Sequence, residues 1–185
     1  MDTAILVLER CYLRPYQPSD AAAVHKQADN TKVSHYMTNL FPSPYTLENA
    51  HSWIRIATLE REPLRNFAIV KADGTYMGGV GLKPRTDVES RTMEVGYWMG
   101  ESHWGQGFAT EVAAGFTRWA FENIPELLRL EAGVFEGNDA SVRVLTKAGY
   151  TLEGTRRKAV FKHGKALDVR VLGILREECL GPAGE

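Results

Sequence analysis

Residues 94–111, Glu-Val-Gly-Tyr-Trp-Met-Gly-Glu-Ser-His-Trp-Gly-Gln-Gly-Phe-Ala-Thr-Glu, limit the fold more than any other stretch of this chain. A strand-like run, Met93–Met99, passes through a short polar turn into Gly105-Gln106-Gly107, and an apolar-periodic helix starts at once. The first N–H groups of a helix have no partners inside it, and the macrodipole adds partial positive charge there. Glycines let a ligand come close to those groups, so the segment reads as a phosphate site. Taken alone, the same glycines also suit a loop that only turns the chain.

The 185 residues, 44% hydrophobic and 24% charged, suffice for one domain over residues 1–185, with its core at about 8–178. A formal net charge of −1 argues against nucleic-acid and membrane-surface partners, which select a basic footprint. The two cysteines, Cys11 and Cys179, match no metal-ligand spacing, as expected of a reduced, cytoplasmic protein. Met1-Asp2-Thr3 is acidic where a signal peptide is basic, and no run reaches the roughly 20 apolar residues of a membrane span. A monomer or homodimer is expected.

Ile5–Tyr16 reads as a strand, and Ser19-Asp20 as the cap of a helix to about Ala28. Asn30–Thr46 is irregular and aromatic. Thr46 then N-caps a helix with Leu47, Ala50, Trp53 or Ile54, and Ala57 on one stripe, ending before Pro63. Strands at Asn66–Lys71 and Thr75–Pro84 flank an Asp73-Gly74 hairpin turn, and Met93–Met99 is the fourth strand. The glycine-led helix buries Phe108, Val112, Phe116 and Trp119 or Ala120. Leu128–Phe135 is a strand, Asn138/Asp139 to Ala148 a helix, and Gly149 its stop. Strands Tyr150–Ala159 and about Leu167–Leu175 join around His163-Gly164. The order predicts a mixed α/β (α+β) fold with a mostly antiparallel sheet.

The glycine loop is neither of the two commoner phosphate motifs. Gly107-Phe108-Ala109 lacks the Lys-Ser/Thr of a Walker loop. The dinucleotide fingerprint needs its glycines directly after a strand, and Gly100–Trp104 intervene here. A second segment adds discrimination: Asn138-Asp139-Ala140-Ser141, then Lys147-Ala148-Gly149-Tyr150. Asn138 and Ser141, three apart, share one face of a helical turn, although an N-cap alone also explains Asn138.

With these segments in this order, residues 8–178 resemble the GNAT (N-acetyltransferase) superfamily, in particular its branch of ribosomal-protein alanine N-acetyltransferases. The resemblance is carried by Leu13-Arg14-Pro15 with Asp20, Glu94-Val95-Gly96-Tyr97-Trp98, and Trp104-Gly105-Gln106-Gly107-Phe108-Ala109-Thr110. Asn138–Ser141, Lys147–Tyr150 and the ending Leu172–Glu178 continue it. Trp104 departs from the usual Gln or Arg at the head of the loop, which matters little if backbone N–H groups hold the phosphates.

The resemblance implies a central sheet with a splayed parallel pair, the fourth and fifth strands, and helices on both faces. It implies that Trp104, Gly105, Gln106, Gly107, Phe108, Ala109 and Thr110 hold the pyrophosphate of acetyl-coenzyme A, the co-substrate. Main-chain groups of Tyr97, Trp98 and Met99 would pair with the pantetheine arm in a V-shaped opening, faced by Asn138. Gly133 would suit a close approach there.

Acyl transfer to an amine needs a neutral amine, a polarised thioester carbonyl and a proton for the departing thiolate. Glu94, on one strand face with Gly96 and Trp98, is the candidate base; an ion pair with Arg91 or Arg55, or simple exposure, is its structural alternative. Ser141 is the candidate acid and Tyr150 its rival, against a plain helix serine and a packed tyrosine. Transfer in this superfamily is direct, with no covalent enzyme intermediate. The five histidines have no metal spacing, so no metal is expected. Trp119 reads as core and Arg156-Arg157-Lys158 as a solvated strand face, with Lys147 or Arg143 better suited to the 3′-phosphate. Tyr36, Phe41 and Trp53 would wall the acceptor cleft or close the core. The expected activity is N-acetylation of a primary amine, a protein N-terminus or a small molecule. The rival is a non-catalytic acyl-coenzyme A sensor on the same fold; a nucleotide-binding protein is disfavoured by the failed motifs. Loops Asn30–Tyr45 and Lys83–Arg91, which would choose the acceptor, carry no readable code.

Overall fold

The apolar pattern over Ile5–Tyr16 contains Glu9-Arg10, two charged residues in succession. An extended strand turns one of any two neighbours toward the core. In the computed structural model, which describes residues 3–59 and 64–181, the chain reverses there instead. The expected single strand is therefore a hairpin, β1 (Leu6–Val7) against β2 (Cys11–Pro15), with Leu6 opposite Leu13. The elements that follow are α1 (Ala21–Ala28), α2 (Thr31–His35), α3 (Leu47–Leu59), β3 (Asn66–Lys71), β4 (Tyr76–Pro84) and β5 (Thr92–Met99). Then come α4 (Phe108–Asn123), β6 (Arg129–Phe135), α5 (Asp139–Lys147), β7 (Thr151–Lys162), β8 (Lys165–Leu175) and α6 (Arg176–Leu180).

The strands form one open sheet in the order β1-β2-β3-β4-β5-β6-β8-β7. It is mostly antiparallel, with helices around it and a parallel pair, β5–β6, where the sequence places its fourth and fifth strands. The parallel register runs from Thr92 opposite Arg129 to Glu94 opposite Glu131. Among the described residues it stops there, although β5 continues to Met99 and β6 to Phe135. On its other side β6 stays paired with β8 through Phe135. Gly133 is exposed, and a Cβ there would meet Val169 Cγ1 at 3.2 Å.

The chain divides into two compact units, Met1–Leu82 with Tyr97–Val112, and Lys83–Gly96 with Ala113–Glu185. In the first, Val24, Ala28, Ala50, Ile54 and Ala57 of α1 and α3 pack with Ala68, Val70 and Tyr76 of the sheet. In the second, Phe116, Phe121, Leu130, Leu145 and Leu172 are fully buried.

Local chemistry sets the helix ends. Thr46 Oγ1 accepts from Asn49 N–H at 3.2 Å and Thr46 N–H donates to Asn49 Oδ1 at 2.8 Å, a reciprocal cap for α3. The expected stop at Pro63 lies outside the described residues. Leu47, assigned to the buried stripe, is exposed because it sits in the first turn, ahead of the packed face. Asp20 stands at the N-cap of α1, but its side chain makes no capping bond to that helix. Its carboxylate takes a two-pronged bond from Arg14, at 2.7 and 2.8 Å, and accepts from Gln17 N–H. The segment expected to be irregular contains α2, whose Lys32 N–H is capped by Asn30 Oδ1 at 2.9 Å. Trp119 is half-buried rather than core, stacked on Phe116 at 5.3 Å. The last hairpin is longer than expected, turning at His163-Gly164 with φ of 52° and 73°. That pair of left-handed residues makes a tight turn whose twist matches the strands.

Candidate functional site

The glycine segment is built as a fixed loop ending on bare N–H groups. Gly105 and Gly107 have φ of 71° and 83°, a region side chains avoid, so glycine is required at both positions. Among the described residues, the N–H groups of Gly105, Gln106, Gly107, Phe108 and Ala109 meet no backbone or side-chain acceptor. Thr110 and Glu111 N–H both bond to Gly107 O, at 3.1 Å, which starts α4. Gly105 to Gly107 are exposed, so these donors are open to a ligand.

The side chains of Trp104, Gln106 and Arg10 hold the loop. Trp104 Nε1 donates to Met99 O at 2.8 Å, tying the loop to the end of β5. Gln106 Nε2 donates to Ser102 O at 2.9 Å. Arg10, in the turn between β1 and β2, donates from Nη1 to Gln106 O at 2.8 Å and from Nε to Glu111 Oε2 at 2.8 Å. Its guanidinium also lies 4.7 Å above the Phe108 ring. Sequence reasoning missed Arg10, because nothing local in the chain signals a partner about a hundred positions away. Beneath it Cys11 is buried, which pushes its thiol up to about 12 and makes it a poor nucleophile. Both cysteines are free thiols.

In the second unit Glu94 lies half-buried on the unbroken strand β5. Its partner is neither Arg91 nor Arg55. Arg91 bonds to Glu126 O at 2.8 Å, while Glu94 Oε2 lies 3.3 Å from Arg85 Nη2. Arg85 also donates to Glu131 Oε1 at 2.7 Å, and the Glu131 carboxylate raises the Arg85 guanidinium further above its ordinary range. Arg85 lies in the stretch Lys83–Arg91, which carries no motif that marks it.

Asn138 Oδ1 accepts from Ser141 N–H at 3.2 Å, so Asn138 caps α5 and Ser141 occupies its first turn, both partly buried. Tyr150, the rival acid, is 2% exposed and its hydroxyl shares a 2.7 Å hydrogen bond with Thr117 Oγ1 inside the core. Phe41 and Trp53 join one aromatic cluster in the first unit. Phe41 lies 5.5 Å from Trp98, and Trp53 sits edge-on to Tyr16 at 6.1 Å. Tyr36 packs edge-on to His35 at 4.6 Å. Arg156, Arg157 and Lys158 are exposed on edge strand β7, as expected of a solvated face. Among the described residues no group of three or more His, Cys, Asp or Glu could hold a metal ion, and no helix is long and apolar enough to cross a membrane.

The acetyltransferase (GNAT) domain family matches residues 10–151, which span β2, the glycine loop and α5. The chain belongs to the GNAT acetyltransferases. The uncharacterized N-acetyltransferase p20 of Bacillus licheniformis is 30% identical over 180 residues, covering 95% of this chain and 98% of that one. A GNAT-family acetyltransferase from Bacillus anthracis has the same fold, with a TM-score of 0.81 over 93% of this chain and 98% of that chain at 22% identity. RimJ of Mycobacterium smegmatis, solved in complex with CoA-disulfide, is 27% identical with a TM-score of 0.80, over 94% of this chain and 87% of that chain. Membership of the GNAT family agrees with the resemblance read from the sequence.

Proposed function

We propose that the chain, acting as one domain over residues 1–185, transfers an acetyl group from acetyl-coenzyme A directly to a primary amine in the cytoplasm. The observation that carries this reading is the row of unpartnered N–H donors from Gly105 to Ala109 at the positive end of α4. A diphosphate supplies the acceptors and the negative charge that such donors lack. The pantetheine arm pairs with Tyr97, Trp98 and Met99, and Asn138 contacts it as well as capping its helix. In M. smegmatis RimJ a coenzyme A derivative is bound, which supports the same co-substrate here.

The amine nitrogen attacks the thioester carbonyl carbon as its proton passes to Glu94, directly or through water. The C–N bond forms, the C–S bond breaks, and the thiolate takes a proton from Ser141, which solvent restores. Tyr150, buried with its hydroxyl bonded to Thr117 Oγ1, is the rival donor. Tyr36, Phe41 and Trp53 supply the aromatic wall on the acceptor side, and the acceptor is a protein N-terminus or a small amine.

Thiol release from acetyl-coenzyme A in the presence of N-terminal peptides and small amines tests the reaction. Release that depends on one amine class is expected; binding without release from any amine would make the chain a sensor. Gln106→Glu tests the phosphate loop without disturbing its glycines. A carboxylate beside the diphosphate should weaken coenzyme A binding about tenfold, or 1.4 kcal/mol, by isothermal titration, and normal affinity would move the phosphates elsewhere.

A further inference from the structure

Glu94 and Glu131 stand opposite each other in the parallel register of β5 and β6. Neighbouring carboxylates on one sheet face repel unless a cation lies between them. Arg85 lies between them. One of its nitrogens, Nη2, is 2.7 Å from Glu131 and 3.3 Å from Glu94, so its hold on Glu131 is the tighter. The other oxygen of Glu131 is taken by Arg129, at 3.2 and 3.3 Å. Arg129 reaches on to Glu153 with two bonds of 2.5 and 2.6 Å.

That last pair crosses β8 over Gly173, where the absence of a side chain leaves it room. A Cβ there would lie 2.6 Å from both Arg129 Nη1 and Glu153 Oε1. Acid and base thus alternate over four strands, Glu94, Arg85, Glu131, Arg129, Glu153, and the chain begins at the carboxylate proposed as the base.

We infer that Arg85 is a positioning residue, shared between Glu94 and Glu131, and that this sharing sets the orientation of the Glu94 carboxylate and the balance of charge around it. Arg129, fixed by Glu153, takes the far oxygen of Glu131 and leaves the near one to Arg85. Glu89, in the turn between β4 and β5, adds a further negative charge near Arg85. Glu153 holds the Arg129 guanidinium well above its ordinary range, so Arg129 stays a cation throughout the working pH. The catalytic consequence rests on the reading of Glu94 as the proton acceptor; the electrostatic relation does not.

Two substitutions should move the titration of Glu94 in opposite directions. In full-length protein carrying glutamate labelled with carbon-13 at the carboxyl, the Glu94 signal is identified by its loss in Glu94→Gln. Arg85→Met removes a cation and leaves two facing carboxylates, so the Glu94 midpoint should rise. Glu131→Gln removes a like charge and turns Arg85 onto Glu94 alone, so the midpoint should fall. Arg85→Lys, which keeps the charge but not the planar fork, should lie between wild type and Arg85→Met. It also serves as the fallback if Arg85→Met does not fold.

A general steadying of the structure would not give opposite signs. Shifts in the same direction, or no shift in either variant, would overturn the inference. Glu94→Gln with an unchanged kcat would instead overturn the base assignment, leaving the two midpoints as the test of Arg85. If both readings hold, Glu94→Gln lowers kcat by about 10²–10⁴-fold, and Arg85→Met lowers kcat with little change in the KM for acetyl-coenzyme A.

Discussion

Arg14 and Asp20 show how far residue identity alone goes. Both stand in a segment that carries the family resemblance, yet a sequence reading gives Asp20 the common role of a helix cap. The structure gives it a buried guanidinium instead, with the two side chains 12% and 7% exposed. The Arg14 guanidinium is raised above its ordinary range chiefly by the hydrogen bonds to Asp20. Removing one partner of a buried pair leaves the other charge without compensation, which costs more than the pair itself contributes. Asp20→Ala should therefore destabilise the protein by about 3 kcal/mol, read from the midpoint of chemical denaturation. A loss below about 0.5 kcal/mol would mean that the pair is solvated like a surface bridge. Arg10 and Arg85 belong to the same class of residue: ordinary in the sequence, defined by partners that only folding brings near.

At the level of elements, the β7–β8 hairpin and β6 carry charge in a pattern that responds to pH. Glu153 is held below its ordinary carboxylate range, first by the hydrogen bonds from Arg129 and then by its charge. A carboxyl with a lowered folded value contributes stability above its unfolded value and loses it as pH falls through the folded one. That contribution should be complete above about pH 4.5, the unperturbed value, and should fade below it. Because Glu153 is 41% exposed, solvent screens the pair and the effect is modest. Thermal melts of wild type and Glu153→Gln should differ at pH 6 and converge as the pH is lowered toward the folded value of Glu153. Equal separation at every pH would assign the difference to packing. The elements themselves were legible where their cause is local: the Asp73-Gly74 and His163-Gly164 turns, the Thr46 cap and the stripe on α4. The β1–β2 hairpin was not, because the apolar residues on both sides of Glu9-Arg10 read as one continuous strand.

For the whole molecule, a ligand that binds the folded chain and not the unfolded one must raise its stability. Coenzyme A at 100 times its dissociation constant should add about 2.7 kcal/mol. For a chain of this length that is a rise of roughly 5–10 °C in Tm by calorimetry. A melt unmoved by millimolar coenzyme A or acetyl-coenzyme A would sink the functional reading, whether enzyme or sensor. The experiment needs no knowledge of the acceptor, which the loops Asn30–Tyr45 and Lys83–Arg91 would choose.

What the sequence determined by itself was whatever depends on neighbours within a few positions. Glycines at 105 and 107 permit the left-handed backbone of the loop, Asn138 caps its own helix, and alternation places Glu94 on a strand face. The ordered set of such signals also sufficed for the family, since each is a short-range constraint repeated at the right interval. The tertiary structure alone decided who stands beside whom. Arg10 comes to the glycine loop from 96 positions before Gln106, and Arg85 comes to rest between Glu94 and Glu131. Gly173 clears the path between Arg129 and Glu153. Charged side chains look alike in a sequence because their interaction energies depend on distance and burial, and both exist only after the sheet has formed.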